Sequence, residues 1–571
     1  MSKINPKNLN IIRLLVTINQ RYGDAPAVRI KEGDSFRSLS YFELGLRTAD
    51  TAYNLIKLGV GRGDRVAILS ESRPEWSIAF FGIVSCAGIV VPMDIKLSEA
   101  EIEFILNDSG AKCIFVSKKL LETILKIKPR LRYLQSVICL DGMPYEGVLF
   151  LKDFKVPEKE VAHRDIQAED TALIVYTSGT TGVAKGVELT YNNILFEALS
   201  LNNYIHFSQN DRFISILPLN HMLELTGGLI APLYAGACIT YCDSIKPPVI
   251  IKLMQEIKAT TMICVPLVLK MFHNGIMKKI EDMNVRKRKM FYRMLSFSKF
   301  LLNFNIRAGR LLFGQLHQQF GGNLRAFVSG GAPLDPVVEE DFHALGFNVL
   351  QGYGLTETSP VITVNTFSER KYTSVGIPLK EVEVKIVKNQ ESDHEGEIIV
   401  RGANVMRGYY QNKEKTDEVL KDGWFYTGDI GYIDNDGFLY ITGRIKNMIV
   451  LGGGKKVFPE EIEEVMSKSK LIKEMCVVGL KATSGLKAGT EEVFAVIVPN
   501  TDEFTEEERQ KKALIKNKIS SEINKLSENL AEYKKISEFM LYFDELPKTS
   551  TRKVKRKEVL EKIVIPNLGG G

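Results

Sequence analysis

Paired cysteines, clustered histidines and long apolar runs are all missing from this chain. Its seven cysteines (Cys86, Cys113, Cys139, Cys238, Cys242, Cys264 and Cys476) are odd in number and contain no CxxC pair. That excludes a disulfide scaffold and a cysteine-based zinc site, and predicts buried, reduced thiols in a reducing compartment. The seven histidines are scattered, which argues against a histidine metal centre. The apolar stretch 11–16 is broken by Arg13, so it makes a poor secretory leader. The longest uncharged run, 76–95 apart from Asp94, contains Gly82, Gly88 and Pro92. It reads as a buried helix followed by a strand rather than a membrane span. No solenoid-period repeat is present. A cytoplasmic protein is expected.

A strong net charge is missing too: 75 Lys and Arg against 69 Asp and Glu leave +6. The composition, 45% hydrophobic and 25% charged, is that of a globular chain and excludes disorder. A length of 571 residues implies several domains. The charge is unevenly placed. Residues 277–310 carry a net +8 and residues 548–562 a net +5, leaving the remainder slightly acidic. The acidic remainder and the lack of aromatic-interleaved basic stretches near 548–562 argue against a nucleic-acid face, so no nucleic-acid partner is expected.

What is present is a rhythm. Short apolar runs at 65–69, 88–91, 113–116, 213–217 and 262–265 alternate with helical patterns such as 98–107, where Ser98 suits an N-cap. This predicts α/β units around parallel sheets. From about 372 to 442 short period-two strands and turns such as Asn435-Asp436-Gly437 predict a small β-barrel. After Gly443 the chain returns to helices and strands.

Several segments carry candidate chemistry. The apolar run 172–175 feeds a loop with Thr177, Ser178, Gly179, Thr180, Thr181, Gly182 and Lys185. Its glycines let backbone N–H groups approach an anion, and its hydroxyls and ammonium add donors. It is a polyphosphate cradle or a Ser/Thr/Gly surface turn, and it is not a Walker A loop. His221 ends an LPLNH segment and is either a packed histidine or a pocket wall. Gly330, Gly331 and Ala332 lie in a turn that a flat ring could approach. Glu357 lies beside Gly352, Tyr353, Gly354 and Thr356. It reads as a Mg²⁺ ligand or a solvated acid, because Mg²⁺ favours one or two carboxylates plus phosphate oxygens. Asp429 is a ribose-diol acceptor or a turn acid.

Together, in order and over nearly the whole chain, these segments resemble the signatures of the adenylate-forming superfamily. The loop at 177–186 is similar to T-S-G-T-T-G-x-P-K-G, with Ala184 in place of proline. The tail 547–553 is similar to P-K-T-x-T-G-K, with Arg552 in place of glycine. The resemblance implies a large N-terminal domain (1–445) of two doubly wound α/β sheet subdomains (about 1–345) and a β-barrel (about 346–445). A smaller α+β C-terminal domain (446–571) would be hinged to it. It implies that Tyr353 stacks on adenine, Thr356 meets the α-phosphate, Glu357 holds Mg²⁺ and Arg444 contacts the nucleotide. By the same resemblance His221 lies beside the acyl pocket, Lys446 is the hinge, Gly452, Gly453 and Gly454 line a CoA tunnel, and Lys553 is catalytic.

Long-chain acyl-CoA synthetases also resemble this chain in having a basic helical insertion near 271–323. The implied reaction joins a fatty acid to CoA with ATP through acyl-AMP. Acyl carrier protein is the alternative thiol donor, and a non-catalytic binding relative the alternative class. The island 277–310 is a peripheral membrane contact on an inner membrane face or a helix pair docked in water.

Overall fold

Strands buried on both faces need unbroken apolar sequence, and that is where the strands lie. The computed structural model describes residues 11–142, 145–156, 166–178, 184–388, 390, 394–451, 455–481, 491–548 and 554–568. It divides into two units. The first comprises Met1–Leu334, Val338–Val384 and Val400–Phe425; the second comprises Asp335–Val337, Lys385–Ile399 and Tyr426–Gly571.

The first unit contains two large sheets. In the eight-stranded sheet, Arg65–Leu69 lies between Ile89–Met93 and Cys113–Val116, all parallel. Thr171–Ser178 pairs with Ile89–Met93 on one side and antiparallel with Ala184–Thr190 on the other. The helix Glu99–Ser109 begins with a capping box between Ser98 and Glu101 and ends at Gly110 in the left-handed region. The uncharged run becomes the helix Pro74–Ser85, with Trp76, Phe80 and Phe81 fully buried, and the strand Ile89–Met93. Among the described residues no helix is long and apolar enough to cross a membrane.

The nine-stranded sheet has at its centre the parallel strands Cys238–Tyr241, Arg212–Ser215, Thr261–Cys264, Ala326–Ser329 and Val349–Tyr353. An aromatic cluster packs here: Phe327 lies 5.6–6.2 Å, ring to ring, from Phe272, Phe320, Phe342 and Phe347. Burying each such ring contributes about 2–3 kcal/mol. All seven cysteines are buried and none is in a disulfide, and burial pushes the Cys113 thiol up to about 11.

The start of the β-rich section differs from expectation. Val349–Tyr353, Thr363–Val364 and Ile377–Pro378 extend the nine-stranded sheet, and Gly408–Tyr409 joins the eight-stranded one. Glycine makes the closest of these approaches possible: a Cβ on Gly376 would lie 2.0 Å from the Val364 carbonyl carbon. Two-residue strands leave no periodic trace in a sequence.

In the second unit a hairpin pairs Asp429 with Arg444 and Ile433 with Leu439, turning through Asn435–Gly437 with Gly437 at φ +86°. Further on, Ile472–Lys481, Glu491–Pro499 and Glu538–Leu541 form a three-stranded sheet. One apolar cluster gathers Ile462, Val477, Ile497 and Ile519, another Val478, Val496, Leu546 and Ile563. The Glu463 carboxylate accepts from the Val477 N–H at 2.7 Å and is paired with Arg556.

Candidate active site

Parallel sheets present ligands at the carboxyl ends of their strands. The motif residues of the first unit collect there. Gly330, Gly331 and Ala332 follow Ala326–Ser329, and Gly352 and Tyr353 end Val349–Tyr353. Gly331 is in the left-handed region at φ +86° and is exposed with Ala332, whereas Gly330 is buried against Leu223. The Tyr353 ring is 9% exposed, which leaves a narrow edge for stacking. At Gly354 a Cβ would stand 1.8 Å from the Pro360 carbonyl oxygen, so this position accepts only glycine. Thr356 opens the single 3-10 turn Thr356–Thr358, tied by the Leu355 N–H to the Thr358 hydroxyl at 2.9 Å.

The antiparallel pair Thr171–Ser178 and Ala184–Thr190 brings Thr177 opposite Lys185. Gly179, Thr180, Thr181 and Gly182 lie outside the described residues. Val187, further along the second strand, pairs with Tyr409. The Lys185 Nζ lies 5.1 Å from the centre of the Tyr409 ring, and the Tyr409 hydroxyl donates to Glu357 Oε1 at 3.0 Å. The Met406 N–H donates to the Glu357 carbonyl at 2.8 Å. One carboxylate, one ammonium and one phenol thus meet beside the hydroxyl- and glycine-rich segment. Burial first, then the Glu357 charge, pushes the Tyr409 phenol far up, so it remains a donor. Tyr409 carries no recognisable signal in the sequence; only its pairing with Val187 delivers it here.

The donor set around Glu357 suits Mg²⁺. Among the described residues no group of three metal-ligating side chains exists, so a dedicated protein cage is absent there. One or two carboxylates suffice for Mg²⁺ when substrate oxygens and water complete its shell.

His221 follows the strand Arg212–Ser215 and stands 3.7 Å from Asp94 Oδ2, just beyond Ile89–Met93. It therefore sits at the carboxyl ends of strands from both sheets. The next turn, Leu223–Ile230, is π-helical, a form common at functional sites. It holds Glu224, fully buried, with neither carboxyl oxygen hydrogen-bonded. Gly228 leaves it room, since a Cβ there would lie 2.5 Å from Glu224 Oε1. Burial pushes the Glu224 carboxyl up to about 8, with the Ser215 hydroxyl pulling weakly the other way. Between about pH 4.5 and 8 the unfolded chain releases a proton that the folded chain keeps, so this group lowers stability as pH rises. Glu224→Gln removes that slope. Its stability relative to the parent is expected to improve by on the order of 3 kcal/mol between about pH 4 and about pH 8. Urea midpoints at the two pH values measure this, and an effect independent of pH would sink it.

In the second unit Asp429 is buried, and the hairpin register sets it against Arg444, whose Nε lies 2.6 Å from Asp429 Oδ1. The Asp429 N–H donates to the Thr427 hydroxyl at 3.0 Å. Two residues that the sequence suggests separately are thus one ion pair, with Arg444 half-exposed. Lys446 is exposed in the turn Ile445–Asn447. Gly452, Gly453, Gly454 and Lys553 lie outside the described residues. Lys548 and Val554, which flank the last of these, pair across an antiparallel bridge.

Comparison with known proteins shows the family. The model of the AMP-binding enzyme family matches residues 16–410, and that of the AMP-binding enzyme C-terminal domain matches residues 446–563. The chain belongs to the AMP-binding enzymes. Among relatives of this AMP-binding enzyme is the long-chain-fatty-acid–CoA ligase FadD15 of Mycobacterium bovis, 32% identical over 75% of this chain and 73% of the relative. A long-chain-fatty-acid–CoA ligase of Yersinia pestis is 30% identical over 99% of this chain and 96% of its own length. Among solved structures, ATP-bound MatB from Rhodopseudomonas palustris superimposes with a TM-score of 0.77 at 26% identity. That match covers 98% of this chain and all of MatB.

Proposed function

We propose that this AMP-binding enzyme is a long-chain fatty acid–CoA ligase that forms AMP. The observation that carries this reading is the meeting of Lys185, Tyr409 and Glu357 at the strand ends, in a chain whose relatives bear that name. A carboxylate acylates poorly because its leaving group would be oxide. In the first step a carboxylate oxygen bonds to the α-phosphorus of ATP and pyrophosphate departs. In the second, the CoA thiolate bonds to the acyl carbon and AMP departs.

Two anions must meet in the first step, so positive charge and donors have to be in place beforehand. Lys185 and the hydroxyls of 177–181 bind the phosphates, and Thr356 adds a donor at the α-phosphate. Lys553 orients the carboxylate for in-line approach. Glu357 is the residue that holds Mg²⁺, which when bound neutralises phosphate charge. Asp429 accepts from the ribose hydroxyls while Arg444 holds it in place. Gly330, Gly331, Ala332, Gly352, Tyr353 and Gly354 give adenine its surface. His221 borders the acyl group. The C-terminal domain from 446 turns about Lys446 between the steps and presents Gly452, Gly453 and Gly454 to CoA.

The basic island supports a peripheral membrane contact. In the helix Val285–Leu302 only Leu295 and Ser298 are buried. Met290, Phe297 and Phe300 stand exposed among Arg286, Lys287, Arg288 and Lys289. Exposed apolar side chains set among cations suit an anionic lipid interface.

Pyrophosphate release, measured over fatty acids of increasing length with and without CoA, tests the function. Release is expected with long chains, and CoA should raise turnover through acyl-CoA formation. Turnover with acyl carrier protein in place of CoA would assign the other thiol. No release with any fatty acid would overturn the proposal.

A further inference from the structure

A second cationic cluster lies at the opposite end of the nine-stranded sheet. Arg325 and Asn348 immediately precede Ala326–Ser329 and Val349–Tyr353, so they mark the amino ends of strands whose carboxyl ends carry Gly330 and Tyr353. A strand of this length separates the two ends by roughly 15 Å. Arg370 reaches the amino end and donates to Asn348 Oδ1 at 2.9 Å. Arg307 arrives from the segment after Val285–Leu302 and donates to the Phe367 carbonyl at 3.5 Å. Arg325 lies over the Phe367 ring at 5.5 Å.

These arginines are not equally neutralised. Arg325 forms a two-pronged pair with Asp211, at 2.9 and 2.8 Å. Among the described residues Arg307 and Arg370 make no ion pair. Arg370 is half-buried, and burial together with the Arg307 charge lowers it to about 10, with Tyr372 and Glu339 opposing. Glu339 is itself buried and accepts from the Thr373 N–H at 3.0 Å. The adjacent His343 adds no charge: burial and the two arginines lower it to about 3. Two guanidiniums in one cluster, one half-buried and neither in an ion pair among the described residues, repel each other until an anion joins them. Their planar forks match a tetrahedral oxyanion.

We propose that Arg307 and Arg370 form a binding site for a phosphate oxyanion, separate from the nucleotide end of the sheet. The surroundings fit a lipid headgroup as its source. Phe304 and Ile306, three residues and one residue before Arg307, are 63% and 51% exposed, and Leu311 is 88% exposed beside Arg310. Bare apolar side chains alternating with arginines place the first in the acyl layer and the second at the phosphates. The site deepens the membrane contact proposed above, and the experiment separates the two.

The full chain is spun with phosphatidylcholine vesicles, with and without phosphatidic acid. R307Q/R370Q is compared with K287Q/K289Q, which removes the same charge elsewhere in the basic island. Pyrophosphate release by each variant confirms folding, and the exposed R307Q alone serves if the double variant is unstable. The parent is expected to bind only the anionic vesicles. The lysine control should weaken that binding by no more than the roughly 30-fold that two diffuse charges supply, and R307Q/R370Q by clearly more. Equal weakening by both variants means diffuse attraction and overturns the site while leaving membrane contact intact. A parent that ignores vesicles but gains thermal stability from inorganic phosphate, through Arg307 and Arg370, keeps the site and overturns the membrane contact. Binding to neither overturns the site.

Discussion

Lys553→Ala is expected to slow acyl-adenylate formation by about 100- to 1000-fold, the typical loss when one preorganised charge-stabilising donor is removed. Pyrophosphate exchange reads this step. Thioester formation from supplied acyl-AMP should be largely spared, because the phosphate chemistry is then already complete. The expectation follows from the place of Lys553 in the motif at 547–553, within the second basic island. Equal loss in both steps would refute the assignment of Lys553 to adenylation. Failure of exchange alone to respond would point to another lysine of that island as the orienting cation.

Glu357→Gln should have the second largest effect, a loss of about 100-fold in adenylation. The substitution is chosen for its geometry. Glutamine keeps an oxygen to accept from the Tyr409 hydroxyl, now 3.0 Å from Glu357 Oε1, so the local packing survives and only the charge is lost. Raising Mg²⁺ should recover part of the rate if the missing charge acts through metal affinity. Tyr409→Phe is the contrasting variant. It leaves the carboxylate but removes one hydrogen bond to it, which is worth about 1.5–3 kcal/mol, and so should cost roughly 10- to 100-fold. A Glu357→Gln enzyme with the parent's rate and Mg²⁺ dependence would remove Glu357 from the site.

The parts of this site that could be read in advance share one property: their chemistry is local. A strand feeding glycines, hydroxyls and a lysine suggests an anion site because neighbouring residues alone supply the donors. The same holds for the capping box at Ser98 and Glu101, where four consecutive residues contain all the partners. Tyr409, Asp94 and Glu224 could not be read in this way. Tyr409 reaches Glu357 across 52 residues, and Asp94 approaches His221 across more than a hundred. Nothing in the runs around them distinguishes these residues from ordinary polar positions. Glu224 is the clearest case. An isolated glutamate in a sequence is most often a solvated acid, and only the packing of Leu223–Ile230 reveals that it is fully buried.

The basic island makes the same point in reverse. Its charge is countable from the sequence, yet the count does not show which cations are spent. Lys299 is held by Glu340 and Asp341, each at 2.7 Å, and Arg288 by Glu281 at 3.1 Å. Arg307 is left to meet Arg370, sixty-three positions away.

The sequence by itself determined the α/β rhythm, the absence of disulfides and the family. All of these rest on residue types at short, regular separations, where backbone geometry leaves few alternatives. The tertiary structure alone decided that the short strands at 363–364 and 377–378 extend the nine-stranded sheet, that Asp429 and Arg444 form one ion pair, and that Tyr409 joins Lys185 to Glu357. Those outcomes depend on which distant strands pair and in what register. That choice is made by the packing of whole faces against one another, and no short window of residues contains it.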